Sequence, residues 1–194
     1  MVVLISKFIR SLAKYSSDML AKTKITPNQI TCFGFLVNCG VAYLIAKGQF
    51  SYLILGLLIW VAGLFDVIDG SLARNTGRAT VFGEFLDSVL DRYSDAVIYF
   101  GVAIHFLELG RTNYVILIMI AMIGSFVVSY TRAKAESLDR ECEVGLMPRA
   151  VRIIILGISF CVGQIFWGLL IIAILSNITA TQRIFHVYKK FINN

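Results

Sequence analysis

Charge is scarce in this chain. Of its 194 residues only 15% are Asp, Glu, Lys or Arg, while 58% are apolar. A soluble domain carries about a quarter charged and about half apolar residues, so a soluble enzyme is excluded. Nucleic acid is excluded as a partner too, because no soluble basic domain remains to hold it. Proline is limited to Pro27 and Pro148. Each stands at the entrance to an apolar run, so no run is broken near its middle as transporter helices commonly are. The four cysteines, Cys32, Cys39, Cys142 and Cys161, form no CxxC and have no His pair beside them. Zinc and a disulfide framework are thereby excluded, and buried free thiols are expected. His105 and His186 are isolated and read as interfacial residues. There is no internal repeat. A signal peptide is not expected, since Lys7, Arg10, Lys14 and Lys22 interrupt the first apolar run and no small-residue cleavage site follows.

What the chain has in abundance is long apolar sequence. Runs at 30–46, 52–72, 85–107, 114–133, 151–169 and 170–185 approach the roughly 20 residues needed to cross hydrocarbon. The last two are separated near Trp167 and Gly168. Before them, Val2, Ile5, Phe8, Ile9, Leu12, Tyr15 and Met19 recur at helical spacing with lysines between, the pattern of a helix lying in the membrane interface. The expected fold is therefore an all-α polytopic membrane protein. A single domain over 1–194 would comprise an interfacial amphipathic helix over 1–24 and six transmembrane helices within 30–185.

Six spans put both termini on one side. That side collects the N-terminal basic residues with Arg74, Arg78, Arg132, Lys134, Arg140, Arg149, Arg152, Arg183, Lys189 and Lys190, leaving Lys47 and Arg111 opposite. The positive-inside rule then places the termini in the cytoplasm and the chain in the cytoplasmic membrane. The net charge of +6 gathers on that face, where it favours anionic lipids and anionic substrates.

Within this oily sequence stand Asp66, Asp69, Asp87 and Asp91. An Asp at the membrane centre costs about 2.5–3.5 kcal/mol, so four uncompensated would cost on the order of 10 kcal/mol. Asp66 and Asp69 are three apart, and Asp87 and Asp91 four apart. Each pair lies on one helical face, within about 60° around the axis. Two adjacent helices could aim both pairs at one point, a hard oxygen-rich site suited to Mg2+ or Mn2+. Two such cations would balance four carboxylates. Gly70 and Ala73 leave the backbone open to close approach, Arg74 offers a planar fork for phosphate oxygens, and Gly83 clears space one turn before Asp87. These features suit a nucleotide diphosphate better than a bare ion pathway. Glu84 and Asp95, on the same stripe as Asp87 and Asp91, read as pairing with Arg92 or another basic residue.

Asp66-x-x-Asp69-Gly70-x-x-Ala73-Arg74, eight residues, then Gly83-x-x-x-Asp87-x-x-x-Asp91 resembles the signature of the CDP-alcohol phosphotransferase family without a departure. The resemblance runs from Thr26-Pro27-Asn28 through the sixth span. It implies a six-helix membrane fold, usually homodimeric, with its active site open to the cytoplasm. It further implies two metal ions held by the four aspartates, CDP-lipid bound beside Gly70, Ala73, Arg74 and Gly83, and Asp91 as base toward the acceptor hydroxyl. The expected reaction is transfer of a diacylglycerol- or archaeol-phosphate group from CDP-diacylglycerol or CDP-archaeol to an alcohol, releasing CMP.

SYTRAKAE from Ser129, GLMPRAVR from Gly145 and the Gln182-Arg183 pair bear on the acceptor. They look like the branch of that family using inositol phosphate, the phosphatidylinositol-phosphate and archaetidylinositol-phosphate synthases. Carried over, Arg132, Lys134, Arg149 or Arg152, and Arg183 would bind the acceptor phosphate. The turn here has Pro148 and Ala150-Val151 where that branch usually has acidic residues. Glycerol-3-phosphate, also a phosphorylated acceptor, is the alternative within this chemistry, and a cation transporter the alternative outside it.

Overall fold

A computed structural model describes residues 25–192. Among these residues the chain forms six helices and no strand: α1 Pro27–Lys47, α2 Tyr52–Thr76, α3 Val81–Glu108, α4 Thr112–Glu136, α5 Arg149–Cys161 and α6 Ile165–Ile192. The interfacial helix expected over 1–24 lies outside the described residues.

Local chemistry sets the helix ends. Thr26 and Gln29 make a reciprocal capping box at the start of α1, with Pro27 in the first turn where its missing N–H costs nothing. Gly77, at φ +63°, ends α2; Thr80 then caps α3 by accepting the Gly83 N–H at 3.0 Å. The short 77–80 link joins them, so the C-terminal part of α2 and the N-terminal part of α3 share one end of the molecule.

The principal packing pairs are α1 with α2 and α3, α5 with α2 and α6, and α4 with α3 and α6. They close a ring in the order α1–α2–α5–α6–α4–α3. Its interior buries Ile45, Leu55, Ala62, Val102, Ala121, Phe160, Leu169 and Ile172, while Leu36, Leu57, Phe100, Ile123 and Ile174 face outward. Small residues let helices touch. A β-carbon on Gly101 would stand 2.4 Å from the Ala42 carbonyl oxygen, and one on Gly56 would stand 2.6 Å from that of Gly157. The apolar outer face and multiple long apolar helices describe a multi-pass membrane protein.

Four helices, α1, α2, α4 and α6, are long and apolar enough to cross a membrane. The 28-residue α3 has the length, but Glu84, Asp87, Asp91, Arg92 and Asp95 crowd its first half. The 13-residue α5 extends only about 20 Å against about 30 Å of hydrocarbon. The boundary expected at Trp167–Gly168 is corrected. The chain turns at Val162–Gln164 instead, where Gly163 takes φ +70° and the Gln164 N–H bonds the Ser159 carbonyl at 2.8 Å. Trp167 and Gly168 lie inside α6, so the runs 151–169 and 170–185 are not the helical units. A glycine in the left-handed region stops the helix, and the apolar pattern on either side does not record that.

All four cysteines are free thiols, but only Cys142 is buried; Cys32 is exposed on α1. His105, in the last turn of α3, is buried within the protein, with Nε2 3.0 Å from the Tyr52 hydroxyl.

Candidate active site

α2 and α3 both lean on α1 but are not a principal packing pair, and the acids face the gap between them. Asp66 interacts electrostatically with Asp87 and Asp95, Asp69 with Asp66 and Asp87, and Asp91 with Asp66, Asp87 and Asp95. The two sequence pairs thus lie within electrostatic range of one another. Asp69 is the most deeply set of the four, at 3% exposure. Its Oδ1 accepts the Gly70 N–H.

The gap is bridged from α5. Arg149 donates through one terminal nitrogen to Asp66 Oδ2 and through Nε to Asp95 Oδ1 at 3.1 Å, and that same terminal nitrogen makes an ion pair with Asp91 Oδ1 at 2.6 Å. Arg152 donates to Asp95 Oδ2 at 2.9 Å and to the Met147 carbonyl at 3.1 Å. Asp95 therefore pairs with basic residues, as read from sequence, but with two arginines from a distant helix. A small cavity of about 30 Å³, lined in part by Asn38, Ser94, Asp95, Tyr99, Arg149 and Arg152 and otherwise largely by apolar residues, adjoins this network.

These arginines are placed by α6. Thr179 is fully buried, and its hydroxyl accepts the N–H groups of Leu146 and Met147, each at 3.2 Å. That fixes the strand of loop leading through Pro148 into α5, whose first turn carries Arg149 and Arg152.

Five aspartates and Glu84 face Arg149, Arg152 and Arg92 here, an acidic excess that favours a further cation. Two buried oxygens, Asp69 Oδ2 and Asp87 Oδ1, have no hydrogen-bond partner within the protein. Orphaned buried carboxylate oxygens are costly, and hard oxygen donors of this kind fit Mg2+ or Mn2+. As placed, no three Asp, Glu, His or Cys side chains among the described residues converge in a metal-binding arrangement. The Arg149 guanidinium stands between Asp66 and Asp91.

The expected nucleotide-facing residues lie around this cleft. Arg74 is exposed, and its guanidinium lies over Gly70, 3.3 Å from where a β-carbon would be. Ala73 is half-buried. Gly83 has a neighbour that sequence reading missed: a β-carbon there would stand 2.8 Å from Asn28 Oδ1. The signal for Asn28 was present, a polar side chain in the first turn of an apolar helix.

Of the expected acceptor group, Arg152 and Arg183 are buried, and Arg183 lies within electrostatic range of both Arg132 and Arg152. Three like charges from α4, α5 and α6 are thereby gathered. Arg183 donates to the backbone carbonyls of Val144, at 2.9 Å, and Val128, at 2.6 Å. Arg132 pairs with Glu136 at 2.7 Å and Glu143 at 3.4 Å. Lys134 is exposed and joins none of these contacts. Thr179, one turn before Arg183 on the same face, was missed; its four-residue spacing from a buried arginine was the available cue.

Comparison with known proteins follows the same lines. A family model described as CDP-alcohol phosphatidyltransferase matches residues 24–181. The chain is 38% identical over 175 residues to the archaetidylinositol phosphate synthase of Pyrococcus horikoshii, covering 88% of each chain. It is similar to the crystal structure of Mycobacterium tuberculosis phosphatidylinositol phosphate synthase with CDP-DAG bound, with a TM-score of 0.83 and 27% identity, covering 92% of this chain and 94% of that one. A second crystal structure of that enzyme, in complex with manganese and citrate, matches at a TM-score of 0.81 and 27% identity over 91% and 88% of the two chains.

Proposed function

The chain belongs to the CDP-alcohol phosphatidyltransferase family, and from that premise we propose that it transfers a lipid phosphate group from a CDP-lipid to inositol phosphate, releasing CMP. It is a transferase; the acceptor, the metal and the residue roles are our reading. The single observation that carries it is that Asp66, Asp69, Asp87 and Asp91 lie within electrostatic range of one another in one half-buried cleft, with two of their oxygens unpartnered. The manganese-bound and CDP-DAG-bound relatives support it.

Each residue type has work suited to its chemistry. The four aspartates would hold two divalent cations, Mg2+ or Mn2+. Bound there, the ions would neutralise pyrophosphate charge and stabilise the departing CMP oxygen. Arg74 would meet the phosphates with its fork, and Gly70, Ala73 and Gly83 would let the nucleotide approach the helix backbone. Asp91 would take the proton of the acceptor hydroxyl as that oxygen attacks the lipid-side phosphorus and the bond to CMP breaks. Arg132, Arg152 and Arg183 would bind the acceptor phosphate, with Lys134 contributing charge from the surface. The lipid would carry diacylglycerol or archaeol tails, both of which occur among the substrates of this kind of enzyme. The proposal includes a single domain in the cytoplasmic membrane, α3 and α5 completing the ring, as a homodimer with termini and cleft on the cytoplasmic side.

The test is release of labelled CMP from CDP-lipid with Mg2+ or Mn2+ and a panel of acceptors: inositol phosphate, glycerol-3-phosphate, free inositol and serine. The reading expects release with inositol phosphate above all and none in EDTA. Release only with an unphosphorylated alcohol would overturn the acceptor assignment.

A further inference from the structure

We propose that Arg149 is a resident counter-cation that competes with a divalent ion for Asp66 and Asp91, dividing the four-aspartate site into an open half and a guarded half. The proposal rests on the metal reading above and deepens it.

The geometry is unequal across the cleft. One guanidinium nitrogen of Arg149 engages both Asp66 Oδ2 and Asp91 Oδ1. Asp69 Oδ2 and Asp87 Oδ1 are buried with no partner. A guanidinium and a hard cation seek the same carboxylate lone pairs, and two positive centres cannot share them at contact distance in a poorly solvated cleft. An ion arriving at Asp69 and Asp87 breaks no ion pair. A second ion, at Asp66 and Asp91, must first displace the arginine.

Displacement does not leave the arginine unpaired. Its Nε bonds Asp95 Oδ1, and Arg152 holds the other oxygen of Asp95. Asp95 is therefore a hinge point: the terminal nitrogens of Arg149 can leave Asp66 and Asp91 while Nε keeps its carboxylate. A freed guanidinium fork is well shaped for a phosphate oxygen pair. Occupancy of the guarded half is thus coupled to presenting Arg149 to a phosphorylated substrate.

The experiment is Mn2+ titration of the purified full-length protein in detergent, following the free-ion paramagnetic resonance signal, for wild type, Arg149→Gln, Arg149→Lys and Asp69→Asn. Wild type should show two classes of ion. In Arg149→Gln the weaker class should tighten by about tenfold, the scale of one charge-assisted contact. Arg149→Lys keeps the charge but loses the fork; it should shift the same way by less, and it secures the measurement if the glutamine variant does not fold. Asp69→Asn should lose the tighter class. Two classes with an unchanged or weakened second one in both Arg149 variants would overturn the exchange and leave the metal reading standing. No Mn2+ binding by any of the four proteins would overturn both.

Discussion

Gly145 rests directly on Thr179: at φ +119° it leaves its backbone so close that a β-carbon would stand 2.2 Å from the threonine Cγ2. The contact lets the Thr179 hydroxyl receive two consecutive N–H groups, of Leu146 and Met147, from the loop that launches α5. A glycine outside the acid cluster thereby determines where Arg149 and Arg152 point.

Gly145→Ala should be destabilising by about 1–3 kcal/mol from backbone strain alone, with the collision adding to it. Thr179→Val, which keeps the shape and strands two backbone donors, that of Met147 buried, should cost about 1–3 kcal/mol. Both should lower the melting temperature in detergent and depress CMP release. Wild-type stability in Thr179→Val would show that the loop is held by something else.

Asp69→Asn should reduce CMP release to background. In EDTA the same variant should melt at or above the wild-type temperature, because it replaces a buried carboxylate whose Oδ2 has no partner with a neutral group. A marked fall in melting temperature would mean that Asp69 holds the structure through its neighbours Gly70 and Thr31.

Asp95→Asn should behave in the opposite sense. Asp95 receives both Arg149 and Arg152, at 3.1 and 2.9 Å, and loss of one member of such a buried network costs about 3–5 kcal/mol. Chemical or thermal unfolding should place Asp95→Asn well below Asp69→Asn in stability. Equal stability of the two variants would contradict the hinge role given to Asp95.

Arg183→Ala should raise the Michaelis constant for a phosphorylated acceptor far more than that for CDP-lipid, since Arg183 gathers with Arg132 and Arg152 away from the nucleotide-facing residues. Equal effects on both constants would refute the acceptor pocket.

Gly101→Val would place two methyl groups into the α1 backbone at Ala42. Overpacking of this kind costs about 1–3 kcal/mol or more, and in a ring-shaped bundle it would also separate α1 from α3 beneath the acid cleft. Thermal stability and CMP release should fall together.

Much of this was legible in the sequence, for identifiable reasons. Composition shows a membrane protein because the chain's own solvent preference is written in every residue. The spacings of Asp66 with Asp69 and Asp87 with Asp91 show two acidic faces because the helix repeats every 3.6 residues. Helix periodicity says nothing, however, about which distant side chain enters the gap. Arg149 and Arg152 looked alike as neighbours on one helical face, both candidates for acceptor phosphate. Only the tertiary structure sends Arg149 between Asp66 and Asp91 while Arg152 stays with Asp95, within electrostatic range of Arg183.

The apolar pattern was equally silent on the last turn of the bundle, where hydropathy continues through Gly163 while the backbone reverses. The sequence by itself determined the class of protein, the helical character and the identity of the acidic site, since these follow from local spacing and from transfer free energies that add residue by residue. The pairing of the arginines, the burial of His105, the pinning of the 145–148 loop by Thr179 and the split of the aspartates into partnered and unpartnered oxygens were decided only by the closed ring of helices. Those features depend on contacts between residues 30 to 90 positions apart, and no local regularity encodes which of several similar side chains wins a shared partner.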